Sequence, residues 1–199
     1  MTVVGLRRFP WSKSIEHCAS IYREAAALNG ARPKVSIIVT CYDLERYLPE
    51  CLESIRQQSM ADWECIVVDD CSPGSCSETV AELVAGDRRF IYLKTPKNLY
   101  LAGARNYGIA QARGKYVIPL DADDMLGDKA LEVLSGFLGK QPGFAIAYGA
   151  MQVIEEGKQA FVSGWPGEFA WERQMSLRPD GVANQNQLPY ASMYRREVW

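Results

Sequence analysis

Apolar positions along this chain follow two rhythms that alternate. Val35-Ser36-Ile37-Ile38-Val39-Thr40 is apolar and β-branched almost throughout, which predicts a strand buried on both faces. Leu44 to Gln58 follows with Leu48, Leu52 and Ile55 at helical spacing. Trp63 to Asp69 reads as a second buried strand, Ser77 to Ala85 as a helix, and Phe90 to Leu93 as a shorter third strand. Ala102 to Ala112 is helical, Tyr116 to Leu120 a strand, Asp128 to Gly139 a helix, and Phe144 to Val153 a final strand. Repeated alternation of this kind predicts an α/β fold. Its sheet is mostly parallel, with helices on both faces and right-handed crossovers.

Both flanks differ from this middle. Residues 1–33 read as a leader, with a helix from Ile15 to Leu28 that places Ile15, Cys18, Ala19, Tyr22, Ala25 and Ala26 on one side. Asn29-Gly30 stops that helix, and Pro33 is a further break. Beyond residue 155, Gly157, Gly164, Pro166, Gly167, Pro179, Gly181 and Pro189 divide the chain into loops and short strands. No internal repeat is visible.

Composition narrows the function classes. At 199 residues the chain can bury a real core as one domain. A net charge of −2 gives no reason to expect nucleic acid or an anionic membrane as partner. No window approaches the ~18 consecutive apolar residues of a spanning helix. The six cysteines lack paired zinc spacing, and His17 is the lone histidine, so buried thiols in a cytosolic protein are expected.

Candidate chemistry gathers where strands end. The run Lys115 to Leu120 stops abruptly in Asp121, Asp123 and Asp124. A parallel strand here carries Asp121 and Asp123 out at its carboxyl edge, where open α/β sheets bind ligands. Carboxylates this close repel one another. Mg²⁺ or Mn²⁺ relieves that repulsion and keeps sites for water and substrate phosphates. The same residues also suit an Asp-rich turn capping the next helix, with Asp124 or Asp128 near its N-terminus, and both readings stand on these residues alone. The first strand runs into Thr40-Cys41-Tyr42-Asp43 and the second into Asp69-Asp70-Cys71-Ser72. Either cluster alone suits an ordinary turn. Together they form three polar strand ends that could face one ligand. Asn98 to Gly114 adds Arg105, which can fork a phosphate or lock a strand-end aspartate, while Gly103 and Gly108 allow close backbone approach. Neither GxGxxG nor a P-loop lysine is present, which disfavours a nicotinamide cofactor.

Four segments occur in order and at suitable intervals. They are VSIIVTCY from Val35, ECIVVDDCS from Glu64, GARNYG from Gly103 and DADD from Asp121. Together they resemble a family 2 glycosyltransferase of the Rossmann-like GT-A fold, strongly over residues 34–155 and weakly beyond. The resemblance implies a GT-A domain over 34–199, with a nucleotide-sugar half at 34–126 and a truncated acceptor half at 127–199. It implies that Thr40 and Tyr42 contact the base and that Asp70 reads the base edge, with Asp69 beside it. Arg105 lies on the helix over the nucleotide. Asp121-Ala122-Asp123 matches the DxD signature, in which Asp121 approaches ribose or sugar and Asp123 binds Mn²⁺ or Mg²⁺ on the diphosphate. Asp43 departs from the family's usual asparagine, and Cys41 stands where proline or a small residue is common.

The resemblance further implies an inverting transfer from a nucleotide-diphosphate sugar, with UDP expected, to a hydroxyl of a glycan, lipid-linked or other acceptor. Cell-surface polysaccharide assembly in the cytoplasm, peripheral to the inner face of the membrane, is the corresponding setting. Family members place a catalytic Asp or Glu base in a second acidic motif. Ala191 to Trp199 resembles the strand before it, so the base is expected beyond Trp199, and Glu168, Glu172 and Glu197 do not match it. Two other classes stay open: a non-catalytic nucleotide-sugar binding module, and a nucleotidyltransferase. The latter normally shows a Gly-rich basic loop after the first strand, which Thr40 to Arg46 is not.

Overall fold

The computed structural model describes residues 32–149 apart from Ser75, the backbone of strands 153–155 and 158–160, and residues 192–199. The expected leader helix at 15–28, and most of the expected loops beyond residue 155, lie outside these described residues. The elements are β1 (Val35–Cys41), a 3-10 turn (Glu45–Tyr47), α1 (Leu48–Arg56), β2 (Trp63–Asp69), α2 (Cys76–Leu83) and β3 (Phe90–Lys94). They continue with α3 (Tyr100–Ile109), β4 (Tyr116–Asp121), α4 (Ala130–Lys140), β5 (Ile146–Ala147), β6 (Val153–Glu155), β7 (Lys158–Ala160), β8 (Met193–Arg195) and a 3-10 turn (Arg196–Val198).

A six-stranded sheet takes the order β3-β2-β1-β4-β8-β5. The pairs β1–β2, β2–β3 and β1–β4 are parallel, as the long apolar runs require. β8 runs antiparallel between β4 and β5, so the sheet is mixed at that end. The expected strand from Phe144 to Val153 is divided. Its partner β8 is short, so only Ile146 and Ala147 join the sheet, while Val153–Glu155 pairs with Lys158–Ala160 in a separate hairpin. The expected helix from Leu44 to Gln58 begins as a 3-10 turn, and the α-helix starts only at Leu48, with Pro49 in its first turn. Proline fits there because the first amides of a helix have no intrahelical partner to lose.

Alternation along each strand builds two cores. Val35, Ile37, Val39 and Cys41 pack with α1, α2 and α4, whereas Ile38, Ile66, Val68 and Val117 pack with α3. Helices therefore cover both faces. Gly108 marks where α3 meets the sheet: a Cβ there would lie 2.5 Å from Ile38 Cγ2 and 2.8 Å from Val68 Cγ2. The close approach read from this glycine is thus to the sheet, not to a ligand.

At the amino edge of the strands, a buried network ties the α3–β4 connection down. Glu64 Oε1 accepts from Ser36 Oγ at 2.6 Å and the Arg113 amide at 2.8 Å, and Glu64 Oε2 pairs with the Arg113 guanidinium at 2.7 Å. The Gly114 amide donates to Ser36 Oγ at 2.8 Å. A Cβ on Gly114 would meet Ser36 N at 2.6 Å, so only glycine fits. At the far end, Arg195 of β8 donates to the Leu138 carbonyl in the last turn of α4 and to the carbonyls of Gln141 and Phe144 in the loop that follows. Among the described residues the cysteines are free thiols, with Cys41, Cys51, Cys65 and Cys76 buried.

Candidate nucleotide-sugar site

The chain leaves β1 outward to β2 and β3, then returns through α3 to β4 on β1's other side. The strand order therefore reverses between β1 and β4, which is where open α/β sheets form a ligand crevice. Registry brings the polar strand ends together there: Thr40 pairs with Asp121, and Cys41 with Asp69.

Asp121 sits at the centre. Its Oδ1 accepts from Thr40 Oγ1 at 3.2 Å and from the Arg105 guanidinium at 2.7 Å. Arg105, left open between phosphate and aspartate by the sequence, thus holds the strand-end aspartate. Its Nε is buried and has no partner among the described residues. A donor left in that state suits an incoming acceptor oxygen, because an unpaired buried donor costs free energy. Asp123 is exposed and makes no hydrogen bond to the described residues. Asp124, unassigned from sequence beyond a capping role, donates its amide to the Asp121 carbonyl and is half-buried beside both aspartates. Burial, then the charges of Asp121 and Asp123, push its carboxyl up to about 6 against the pull of Arg105.

Among the described residues, no three His, Cys, Asp or Glu side chains converge into a preformed metal cage. The donor set nonetheless fits a hard divalent cation of the Mg²⁺ or Mn²⁺ kind. Such an ion is held by one or two carboxylates and takes its remaining oxygens from water and substrate phosphates.

The two aspartates ending β2 divide their work. Asp70 is nearly buried; its Oδ1 accepts from Thr95 Oγ1 at 2.9 Å and the Leu99 amide at 2.8 Å, while Oδ2 has no partner among the described residues. One oxygen is anchored and the other is open. Asp69, expected beside Asp70, is fully buried with both oxygens engaged inside the protein. Its Oδ1 accepts from the Ser72 amide at 2.7 Å, and Oδ2 from Tyr92 Oη at 2.6 Å and Lys94 Nζ at 3.3 Å. Burial alone would raise this carboxyl, but the hydrogen bonds from Tyr92, Ser72 and Lys94 outweigh it and hold its pKa below the usual range. Asp69 shapes the loop that presents Asp70. Ser72 extends that loop to its neighbour, accepting from the Asp43 amide at 3.2 Å.

Tyr42 stands 48% exposed on the first of these loops. Asp43 follows at φ 56°, a left-handed conformation that Asp and Asn tolerate best among non-glycine residues. Cys71 (φ 63°) and Tyr100 (φ 59°) share that strained region. All three lie beside the carboxyl edge of the sheet, and strain of this kind clusters at functional sites. Thr95 and Tyr100 escaped the sequence reading of the site because a single residue just past a strand or at a helix start carries no periodic signal, whereas Ser72 and Asp124 stood in its strand-end clusters without an assigned contact to ligand.

Fold and strand-end chemistry define the class: an α/β protein of the GT-A type. Residues 36–199 match the model of the family described as Glycosyl transferase family 2, and the chain belongs to that family. It is 32% identical over 127 residues to the uncharacterized glycosyltransferase MJ1057 of Methanocaldococcus jannaschii, covering 63% of this chain and 44% of that protein. It is 34% identical over 101 residues to the putative teichuronic acid biosynthesis glycosyltransferase TuaG of Bacillus subtilis, covering 51% of this chain and 40% of that one. The chain thus spans less than half the length of these relatives. Among solved structures it resembles S. aureus TarS 1-349 in complex with UDP-GlcNAc, with a TM-score of 0.64 at 24% identity over 83% of this chain and 46% of that one. It also resembles the mannosyltransferase PcManGT of Pyrobaculum calidifontis in complex with GDP-Man and Mn²⁺, with a TM-score of 0.51 at 20% identity over 67% and 43% of the two chains. No helix among the described residues is long and apolar enough to cross a membrane.

Proposed function

We propose that this domain holds a nucleotide-diphosphate sugar at the carboxyl edge of β1, β2 and β4, with UDP as its nucleotide, and takes part in moving the sugar to an acceptor hydroxyl. One observation carries the reading. Asp121, locked by Thr40 and Arg105, stands beside Asp123, whose carboxylate is exposed and uncommitted. The family match and the UDP-GlcNAc complex of TarS support the donor class.

Each residue then has work suited to its surroundings. Asp70 Oδ2 accepts an N–H from the base edge, as uracil offers, and Tyr42 lies flat against the base. Thr40 and Arg105 hold Asp121 toward the ribose or sugar, and Asp123 supplies the free carboxylate for Mn²⁺ or Mg²⁺. When bound, the cation neutralises charge developing on the leaving diphosphate. Direct attack by the acceptor hydroxyl inverts the anomeric carbon, aided by a general base. No described residue is assigned as that base. The nucleotidyltransferase reading fails on chemistry: β1 runs into Cys41, Tyr42 and Asp43, without the glycines and cations that loop needs.

A panel of UDP-, GDP- and dTDP-sugars with Mn²⁺ tests the reading by competition and by donor hydrolysis. UDP-sugars are expected to bind best and to be hydrolysed slowly. If GDP or dTDP outcompetes UDP by more than about tenfold, the uracil assignment is wrong. Binding without turnover of any donor would favour a binding module over an enzyme.

A further inference from the structure

Tyr100 is a large side chain in a conformation that suits glycine. Its φ of 59° is left-handed, where a Cβ crowds the backbone, yet its side chain gains no compensating burial and is 79% exposed. No hydrogen bond or ring contact of its side chain exists among the described residues. The backbone is held at two successive amides: Asn98 Oδ1 accepts from the Tyr100 amide at 2.8 Å, and Asp70 Oδ1 accepts from the Leu99 amide at 2.8 Å. The strain is therefore imposed by neighbours and brings no packing in return.

Its position supplies a reason. The Asp70 amide donates to the Cys41 carbonyl at 2.8 Å, so Tyr42 directly follows a residue bonded to Asp70. The Leu99 amide donates to Asp70 Oδ1 at 2.8 Å, so Tyr100 directly follows a second residue bonded to it. Two exposed tyrosines are thus each one residue along the chain from a hydrogen bond to Asp70. Aromatic rings stack on bases whatever the base's hydrogen-bond pattern, because every base presents a π-face.

We propose that Tyr100 is a second base-stacking residue, covering the face of the nucleobase opposite Tyr42 and setting affinity for the nucleoside end of the donor. This rests on the nucleotide-sugar reading above but is separable from it. The strain makes an unusual forecast: Tyr100→Gly relieves the backbone and removes the ring together.

The test compares wild type, Tyr100→Gly and Tyr100→Phe by calorimetric titration with UDP and with inorganic pyrophosphate, both in Mn²⁺, and by thermal melting. Tyr100→Gly is expected to melt at or above the wild-type temperature, to weaken UDP about five- to hundredfold, and to leave pyrophosphate affinity unchanged. Tyr100→Phe, which keeps the ring face, is expected to bind UDP within about twofold of wild type. If wild type binds UDP and Tyr100→Gly binds it equally well, the inference is wrong while the site reading survives. Equal losses for UDP and pyrophosphate would also overturn it, since the ring would then act on the diphosphate or on the fold. Failure of wild type to bind UDP at all would instead remove the underlying reading.

Discussion

Asp123→Ala is expected to abolish the metal-dependent part of UDP binding while the domain stays folded. Asp123 is exposed and makes no hydrogen bond to the described residues, so truncating it removes no internal contact and relieves repulsion from Asp121 and Asp124. Surface changes of that kind usually stay within about 0.5 kcal/mol. Affinity is a different matter. Losing even an outer partner of a metal ligand costs roughly 10–100-fold in metal affinity, and a ligand itself should cost at least as much. Calorimetry with UDP, with and without Mn²⁺, should show a metal-dependent gain in wild type and none in the variant. The same truncation at Asp121 is less clean, because it would strand Arg105 and Thr40. Equal affinities with and without metal in both proteins would reject the role given to Asp123.

Glu64→Ala should produce the largest loss of stability, at the opposite edge of the sheet and with no part in ligand binding. The Glu64 side chain is 2% exposed and answers three partners: the Ser36 hydroxyl, the Arg113 amide and the Arg113 guanidinium. Truncation takes the carboxylate away from the half-buried Arg113 guanidinium and from the Ser36 hydroxyl, and leaves a cavity beneath the α3–β4 connection. Removing one partner of a buried ion pair costs about 3–5 kcal/mol. For a chain of this size that is roughly 6–20 °C in melting temperature. Calorimetric melting of the variant against wild type measures it. A shift under about 2 °C would mean that the Glu64 network contributes little to stability.

The contrast between these two carboxylates shows what was legible in the sequence. Runs such as Val35–Cys41 and Trp63–Asp69 are apolar on both faces, so buried parallel strands and the edge carrying Asp70, Asp121 and Asp123 followed from residue pattern alone. The division of labour within Asp69-Asp70 did not. Whether an aspartate faces a ligand depends on Tyr92, Lys94, Thr95 and Leu99, which lie on or just beyond another strand and are brought close by sheet registry. Glu64 escaped for the same reason, since Arg113 is 49 positions away along the chain. Strand ends misread for a third reason. The pairing length of β5 is set by β8, from a distant part of the sequence, so its apolar run outlasts its ladder. Gly108 was rightly read as a point of close approach, but no sequence pattern could say that Ile38 and Val68 were the approaching groups.

Amide resonances of the labelled chain, followed as Mn²⁺ is added in the presence of UDP, test the placement of the site most directly, because bound Mn²⁺ broadens nearby signals. Broadening should concentrate on residues 121–124 and reach Thr40 and Tyr42. Ser36, Glu64, Arg113 and Gly114, at the far end of the same strands, should keep their signals. Broadening centred on that opposite edge, or spread evenly without dependence on UDP, would contradict a donor site built on Asp70, Asp121 and Asp123.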